Sequence, residues 1–254
     1  MSEKMTSRLR LAALVSILAC LLPLVPAPAQ ALACGRVSGC TRFELVSAGA
    51  TYGWYPVAWR YEFKGGRTEP KQWKIRGRAS QYQQNGMLTI VGKPGVHSRE
   101  VASTWSGVSY SQGRWESRMR TRTYGKGTPF RVQLALVPAN HKQRYCGAQD
   151  VTFLDYTPKR RSTVKVAAHT RPALSFTYKK SLSRPVGGDE WHVFGVEVTK
   201  KHIAWFIDGR VAAIEKRPAA LSRAAFTMQA RLIPTEAPPW RRPGSSSTGP
   251  ATGA

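Results

Sequence analysis

Two carboxylates five positions apart, Asp150 and Asp155, stand in a short run of apolar and β-branched residues. A charge in such a run is costly to bury unless it has a partner or a chemical role. Two carboxyl groups can together hydrolyse a bond, one as nucleophile or base and the other as acid. The same residues also fit a plain strand with an Asp at each end, since Asp is common where strands give way to turns. The segment alone leaves both interpretations open.

The parity of this run predicts an irregular strand. Strand alternation places Asp150 and Thr152 on one face and leaves Asp155 on the other. A β-bulge at Phe153-Leu154 would return Asp155 to the face of Asp150 and turn Tyr156 inward. The run therefore predicts a row of three polar side chains on one rigid strand.

The rest of the chain reads as short alternating segments between turns, with almost no convincing helix. Asn85-Gly86 and Asp208-Gly209 are typical of tight hairpin turns. About a dozen strands in one domain indicate two antiparallel sheets stacked as a β-sandwich. The strands are expected at Phe43–Val46, Ala58–Phe63, Gln72–Arg76, Met87–Val91, Glu100–Thr104, Gly113–Thr123, Phe130–Val137, Asp150–Tyr156, Thr163–His169, Ala173–Tyr178, Trp191–Val198, His202–Ile207, Arg210–Ile214 and Met228–Ile233.

The two ends of the chain look unlike the middle. Residues 1–33 read as a secretory signal peptide, in which basic residues precede an apolar run and small residues at 29–33 offer cleavage sites. Prolines cut the run short of the roughly 20 residues that a membrane span needs. A lipoprotein box ending at Cys20 is a weaker alternative. Residues 237–254 are poor in apolar side chains, so we expect a disordered tail. The folded domain is then 34–236, secreted and associated with the extracellular side or the cell envelope.

The charge and the cysteines limit the partners. The formal net charge of +25 favours polyanions, so anionic cell-envelope polymers are a candidate partner class. Nucleic acid is possible on electrostatics alone, but no recognised nucleic-acid motif is present, and none is expected as a specific partner. Cys34, Cys40 and Cys146 allow at most one internal disulfide, whose pairing the sequence leaves open. The five histidines are scattered, so no metal or cofactor is expected, and the protein is expected to be a monomer.

Several landmarks then occur in the order of a known family. They include a Trp-x-x-Glu-Phe opening, an Asn-Gly-x-Leu strand, a Gly-Arg-Trp-Glu-x-Arg strand and a His-x-Phe-x-Val-Glu-Val-Thr hairpin. The residues are Trp59–Phe63, Trp73, Asn85–Ile90, Tyr110–Arg118, Trp191–Thr199 and Ile203–Gly209. Over roughly 59–232 the chain resembles glycoside hydrolase family 16. The resemblance implies a jelly roll of the concanavalin A-like lectin/glucanase type that hydrolyses O-glycosidic bonds of a β-linked polysaccharide.

The chain departs from this family at its signature. The family carries Glu-x-Asp-x-x-Glu on a bulged strand, and the aligned residues here are Asp150, Thr152 and Asp155. The resemblance implies that Asp150 is nucleophile or base, that Asp155 is acid/base and that Thr152 positions Asp150 through its hydroxyl. Shortened carboxylates widen the gap between the carboxyl groups by about 1–3 Å, toward the geometry of inverting enzymes. Three hypotheses remain: a retaining hydrolase, an inverting hydrolase and a catalytically inactive, lectin-like carbohydrate-binding protein.

Four further residues are candidates for contact with the sugar. His169 falls where the family often has a cleft histidine. Trp105, Tyr110 and Trp115 carry rings that could stack on the apolar faces of pyranoses. For Trp115 the sandwich core is an equally good interpretation.

Overall fold

The chain folds almost entirely into antiparallel β-structure. The computed structural model describes residues 47–64, 66–68, 70–77, 79–92, 100–124, 130–144, 149–157, 162–170, 174–222 and 224–235. Their only α-helix, α1 (Ala48–Thr51), is capped by the side chain of Ser47, and no helix among them could span a membrane. The strands are β1 (Trp73–Arg76), β2 (Ser80–Gln84), β3 (Met87–Val91), β4 (Val101–Trp105), β5 (Gly113–Met119), β6 (Phe130–Pro138), β7 (Asp150–Tyr156), β8 (Thr163–Thr170), β9 (Leu174–Ser181), β10 (His192–Val198), β11 (Ile203–Ile207), β12 (Arg210–Glu215) and β13 (Phe226–Pro234).

These strands form two main sheets. The larger has seven strands in the order β1-β4-β13-β6-β7-β8-β9, and the smaller has four in the order β12-β11-β10-β5. β2 and β3 form a separate hairpin. Its turn has Asn85 at φ 49° and Gly86 at φ 71°, and Asp208-Gly209 repeats this left-handed pair between β11 and β12. Both turns therefore have the backbone conformation that the sequence predicts for tight hairpins.

The core lies between the two main sheets. The four-stranded sheet contributes Phe194, Val196 and Trp205, and the seven-stranded sheet contributes Leu136 and Phe153, all fully buried. On β7, Phe153 follows Thr152 of the opposite face, and on β10, Val196 precedes Glu197, as expected for strands with one face in the core. The predicted antiparallel β-sandwich is confirmed. One face of the seven-stranded sheet consequently points away from the core, and we call it the polar face.

One predicted strand is wrong. Ala58–Phe63 forms no strand, although its side chains alternate in polarity. Trp59 instead stacks on Trp105 at 4.9 Å between ring centroids, and Phe63, at φ 42°, leaves the extended region. An extended segment that packs its rings on a sheet produces the same alternation as a strand that hydrogen-bonds to it.

One strand is missing from the sequence prediction, and several predictions lie outside the described residues. β2 reads Ser-Gln-Tyr-Gln-Gln and lacks the apolar alternation that identifies a strand. The predictions that lie outside the described residues concern the signal peptide 1–33, the strand Phe43–Val46, Cys34, Cys40, Cys146 and the tail 237–254.

Candidate functional site

The centre of the polar face is an irregularity in β7. Opposite β6, Leu154 pairs with Leu134 and Thr152 pairs with Ala135, so β7 has one residue more than its neighbour. Opposite β8, the register likewise shifts between Thr152 and Asp155. This is the β-bulge that the parity of Asp155 predicts. Tyr156 accordingly points into the core, where it is 2% exposed.

The bulge brings three polar side chains onto one face. Asp150, Thr152 and Asp155 pair with alternate residues of β8, namely His169, Ala167 and Lys165. Alternate residues of one strand share a face, so the three β7 side chains lie in one row on the polar face. The backbone of β7 thus positions two carboxylates with a hydroxyl between them.

Asp150 lies in a network of hydrogen bonds and charges. Its Oδ1 is 2.6 Å from Nδ1 of His169, and its Oδ2 is 3.5 Å from Nη2 of Arg231. The Thr152 hydroxyl lies 3.4 Å from Oδ1 and accepts a hydrogen bond from Nε2 of Gln133 at 3.3 Å. The hydrogen bond that His169 makes to Asp150 raises the pKa of His169 above its usual value, although burial of the ring opposes the shift. Asp150 thus lies between a histidine with a raised pKa and the guanidinium group of Arg231.

Asp155 has a different environment. Burial of its side chain raises its pKa above the ordinary aspartate value, and this effect outweighs the nearby positive charges of Arg131, Lys165, Arg231 and His169. Nε of Arg131 lies 3.3 Å from Oδ1 of Asp155. A carboxyl group with a raised pKa keeps its proton to higher pH, which suits an acid that donates a proton. The two carboxyl groups thus differ in their surroundings, as a base and an acid in one site would.

A cleft of about 620 Å³ opens on the polar face beside Asp150. It runs from Lys74 on β1 across β4, β13 and β6 to Asp150 on β7. Thr104, Thr227, Gln229 and Arg231 also line it. Most of the residues that line it have polar or charged side chains, and these can form hydrogen bonds with a hydroxyl-rich or charged ligand.

Of the predicted sugar contacts, His169 lies at this site, where its ring contacts Asp150 directly. Trp105 is among the residues around the cleft, but it pairs with the buried Trp73 on the face opposite Thr104. Its ring packs with those of Trp59 and Tyr61 against the core. Tyr110 is 40% exposed and forms an isolated antiparallel β-bridge with Phe226. It is not among the residues that line the cleft.

Trp115 is the correction among the predicted contacts. It belongs to β5 in the four-stranded sheet and is only 5% exposed, packed in the core. At this degree of burial its ring offers no face to a sugar. Its alternation with Glu116 was compatible with either placement, and only the strand order decides between them.

Three residues of this site were not anticipated. Arg131 and Gln133 come from β6, and Arg231 comes from β13. Their alternation with Val132, Leu134 and Leu232 could have placed them on a polar face. The pairing of β13 with β6, about a hundred residues apart in the chain, is what places them beside β7. No group of three or more His, Cys, Asp and Glu suited to a metal ion occurs in the described part of the chain.

Comparison with known proteins supports the fold. No family model matches the sequence, and no curated protein matches it. Similar solved structures include the laminarinase catalytic domain from Thermotoga maritima, with 15% identity, a TM-score of 0.56 and a match over 70% of this chain and 87% of that chain. Laminarinase from Flavobacterium sp. UMI-01 shares 14% identity, with a TM-score of 0.54 and coverage of 70% and 88%. The family 16 endo-glucanase from Bacteroides ovatus shares 10% identity, with a TM-score of 0.54 and coverage of 68% and 84%. The predicted jelly-roll fold of the glucanase type is confirmed.

Proposed function

We propose that this chain is a secreted protein that binds a β-linked polysaccharide across the polar face and cleaves its O-glycosidic bonds with Asp150 and Asp155. The observation that carries the proposal is the bulge in β7, which puts both carboxylates on one face with Thr152 between them. The likeness to laminarinases and an endo-glucanase supports the choice of a β-linked glycan as the ligand. Removal of residues 1–33 and export belong to the same proposal.

The spacing of the two carboxylates favours an inverting mechanism. The partners of Asp150 and Asp155 on β8, His169 and Lys165, are four residues apart, which is about 13 Å along a strand. A glutamate pair could close much of that distance, but each aspartate reaches one methylene less. The gap of about 5–5.5 Å in retaining enzymes is therefore harder to reach than the 6.5–9.5 Å of inverting enzymes.

In the proposed reaction each carboxyl group has one task. Asp155 gives its proton to the glycosidic oxygen as the bond from this oxygen to the anomeric carbon breaks. A water molecule on the opposite side of the sugar attacks the anomeric carbon and gives a proton to Asp150. Thr152 and His169 hold the Asp150 carboxylate in position through the contacts described above. The products are two shorter chains, one of which has a free reducing end.

A second candidate function is binding without cleavage. The ion pairs favour it, because Asp150 lies against Arg231 and His169, and Asp155 lies against Arg131. Carboxylates in such ion pairs can stabilise a binding face without taking part in a reaction. A lectin-like protein would use the same cleft and release no product.

Release of reducing ends separates the two functions. The purified chain is incubated with laminarin and with mixed-linkage β-glucan, as wild type and as the Asp150→Asn and Asp155→Asn variants. We expect cleavage by the wild type and a loss of at least about a hundredfold in each variant. Asp189→Asn is the matched control, because Asp189 lies between β9 and β10, outside β7, and pairs with Arg120 and Arg122. Binding without cleavage by the wild type would support the lectin-like function, and neither binding nor cleavage would overturn the proposal.

A further inference from the structure

The polar face and its cleft carry more positive than negative side chains. The carboxylates among the described residues there are Asp150, Asp155 and Glu100. Against these three stand the Lys and Arg side chains of five strands and of the turn after β6, at Lys74, Arg76, Arg131, Arg144, Lys165, Lys179 and Arg231. Part of the large excess of positive charge in the sequence is thus gathered around the proposed site.

Three of the lysines have no carboxylate partner. Lys74, Lys165 and Lys179 are exposed, and none of them makes an ion pair with a described residue. Lys165 is near enough to Asp155 to lower the pKa of that carboxyl group, but it does not pair with it. Their charges therefore remain available to a ligand.

The arginine that contacts Asp150 also keeps an unused donor. Nε of Arg231 is buried and has no hydrogen-bond acceptor among the described residues. Arg231 reaches Asp150 only at 3.5 Å, through Nη2. Guanidinium groups bind carboxylates and other oxyanions most strongly when two of their donors are engaged. A small shift of the Arg231 side chain toward an oxyanion would satisfy this donor.

These charges are spread over a length that suits a chain ligand. The strand register aligns Lys74, Thr104, Gln229, Ala135 and Thr152 in one row across five strands. At about 4.8 Å between strands, Lys74 and Thr152 are about 19 Å apart, and Lys165 lies on the strand beyond. A single small anion cannot bridge that distance. A polymer that repeats its charge can contact lysines on both sides of the carboxylate row.

We infer that the polysaccharide bound by the polar face is anionic, with carboxylate or sulfate groups that are held by Lys74 and Arg231 on one side of β7 and by Lys165 on the other. The inference rests on the proposed function and specifies its substrate class. A cleft lined by one sign of charge raises the local concentration of ligands of the opposite sign. Asp150 and Asp155 lie within this positive surface, where the sugar chain would cross them.

Matched ligands test the inference. Binding of the full chain is measured by calorimetry with three β-1,3-linked glucose hexasaccharides: a neutral one, one oxidised to the carboxylate at C6 and one sulfated at C6. We expect at least one charged form to bind about tenfold or more tightly than the neutral form. Whichever charged form binds more tightly identifies the anionic group. Binding of a single-stranded DNA dodecamer is measured as well, as a polyanion that is not a polysaccharide.

Charge-removing variants then locate the effect. Lys74→Gln and Lys165→Gln, combined, are expected to weaken binding of the charged hexasaccharide about tenfold and to weaken binding of the neutral form by a smaller factor. Lys201→Gln, an exposed lysine in the β10–β11 turn of the other sheet, is the control and is expected to have no effect. Lys74→Arg keeps the positive charge that Lys74→Gln removes, so it should keep part of the affinity for the charged hexasaccharide.

Each other outcome overturns the inference. Equal binding of neutral and charged forms would retain the proposed function but remove the anionic substrate. An equal loss in Lys201→Gln would show attraction to the whole surface and not to the polar face. Tighter binding of the DNA dodecamer, or no binding of any hexasaccharide, would remove both the inference and the proposed function.

Discussion

The indole nitrogen of Trp205 donates a hydrogen bond of 3.0 Å to the backbone carbonyl oxygen of Thr152. Trp205 belongs to β11 of the four-stranded sheet and is fully buried. Its partner lies where β7 begins to bulge and the register with both neighbouring strands shifts. The second sheet thus stabilises the irregularity that gives Asp150 and Asp155 a common face.

Trp205→Phe is expected to destabilise the fold beyond the loss of ring volume. Phenylalanine keeps most of the apolar contact but leaves the Thr152 carbonyl without this donor, which costs about 1–3 kcal/mol. Chemical denaturation measures the change in the free energy of unfolding. Trp73→Phe is the matched control, because Nε1 of Trp73 is buried and has no hydrogen-bond partner among the described residues. Equal losses in the two variants would mean that the hydrogen bond to Thr152 contributes nothing.

The pairing of His169 with Asp150 predicts a pH-dependent stability. The pKa of His169 is raised above 6.5, so the folded state binds the proton of this ring more tightly than the unfolded state does. The stabilisation is complete below about pH 6.5 and is lost as the pH rises through the pKa of the folded state. The melting temperature should therefore fall as the pH rises above about 6.5.

His169→Gln should flatten this fall, because glutamine does not titrate. His141→Gln, which changes an exposed histidine in the turn after β6, should leave the fall unchanged. Asp155 also has a raised pKa, so its carboxyl group lowers the stability of the folded state as the pH rises from about 3.8 through the pKa of the folded state. A slope above pH 6.5 that is the same in the wild type and in His169→Gln would contradict the assignment.

The raised pKa of Asp155 predicts the alkaline limb of the rate profile. An acid must be protonated to act, so kcat/KM for glycan cleavage should fall as the pH rises through this pKa. Arg131→Gln removes a positive charge that lowers the pKa, so the limb should move to higher pH. Arg114→Gln, whose partner Glu197 lies on the other sheet, is the control. A limb that does not move in Arg131→Gln would exclude Asp155 as the acid.

The configuration of the first product distinguishes the two kinds of hydrolase. Two aspartates, each one methylene shorter than glutamate, favour attack by water and inversion, so a β-linked substrate should first release the α-anomer. Proton NMR of the anomeric region during the first minutes of cleavage measures this directly. Early accumulation of the β-anomer would show retention and would require a backbone shift that brings Asp150 and Asp155 closer together.

The alternation of apolar and polar residues along the sequence predicted both the sandwich and the bulge, because it shows which side chains share a face of a strand. Apolar alternation identified β6 and β10, and Asp155, on the wrong parity, revealed the extra residue of β7. The composition of the site could not be found in the same way. Arg131 and Arg231 lie beside the carboxylates only because β6 and β13 are neighbours of β7, and this order is set by packing between distant segments. Trp115 shows the same limit, since alternation alone does not say which sheet or which face receives a ring.

A crystal structure of the Asp150→Asn, Asp155→Asn double variant with a β-1,3-linked hexasaccharide tests the location of the site most directly. The measurement is the position of the sugar rings relative to β7. The bulge and the cleft predict a chain that crosses the polar face between residues 150 and 155 and continues toward Lys74. A hexasaccharide bound on the four-stranded sheet, or no bound sugar at saturating concentration, would contradict a glycan site on this face.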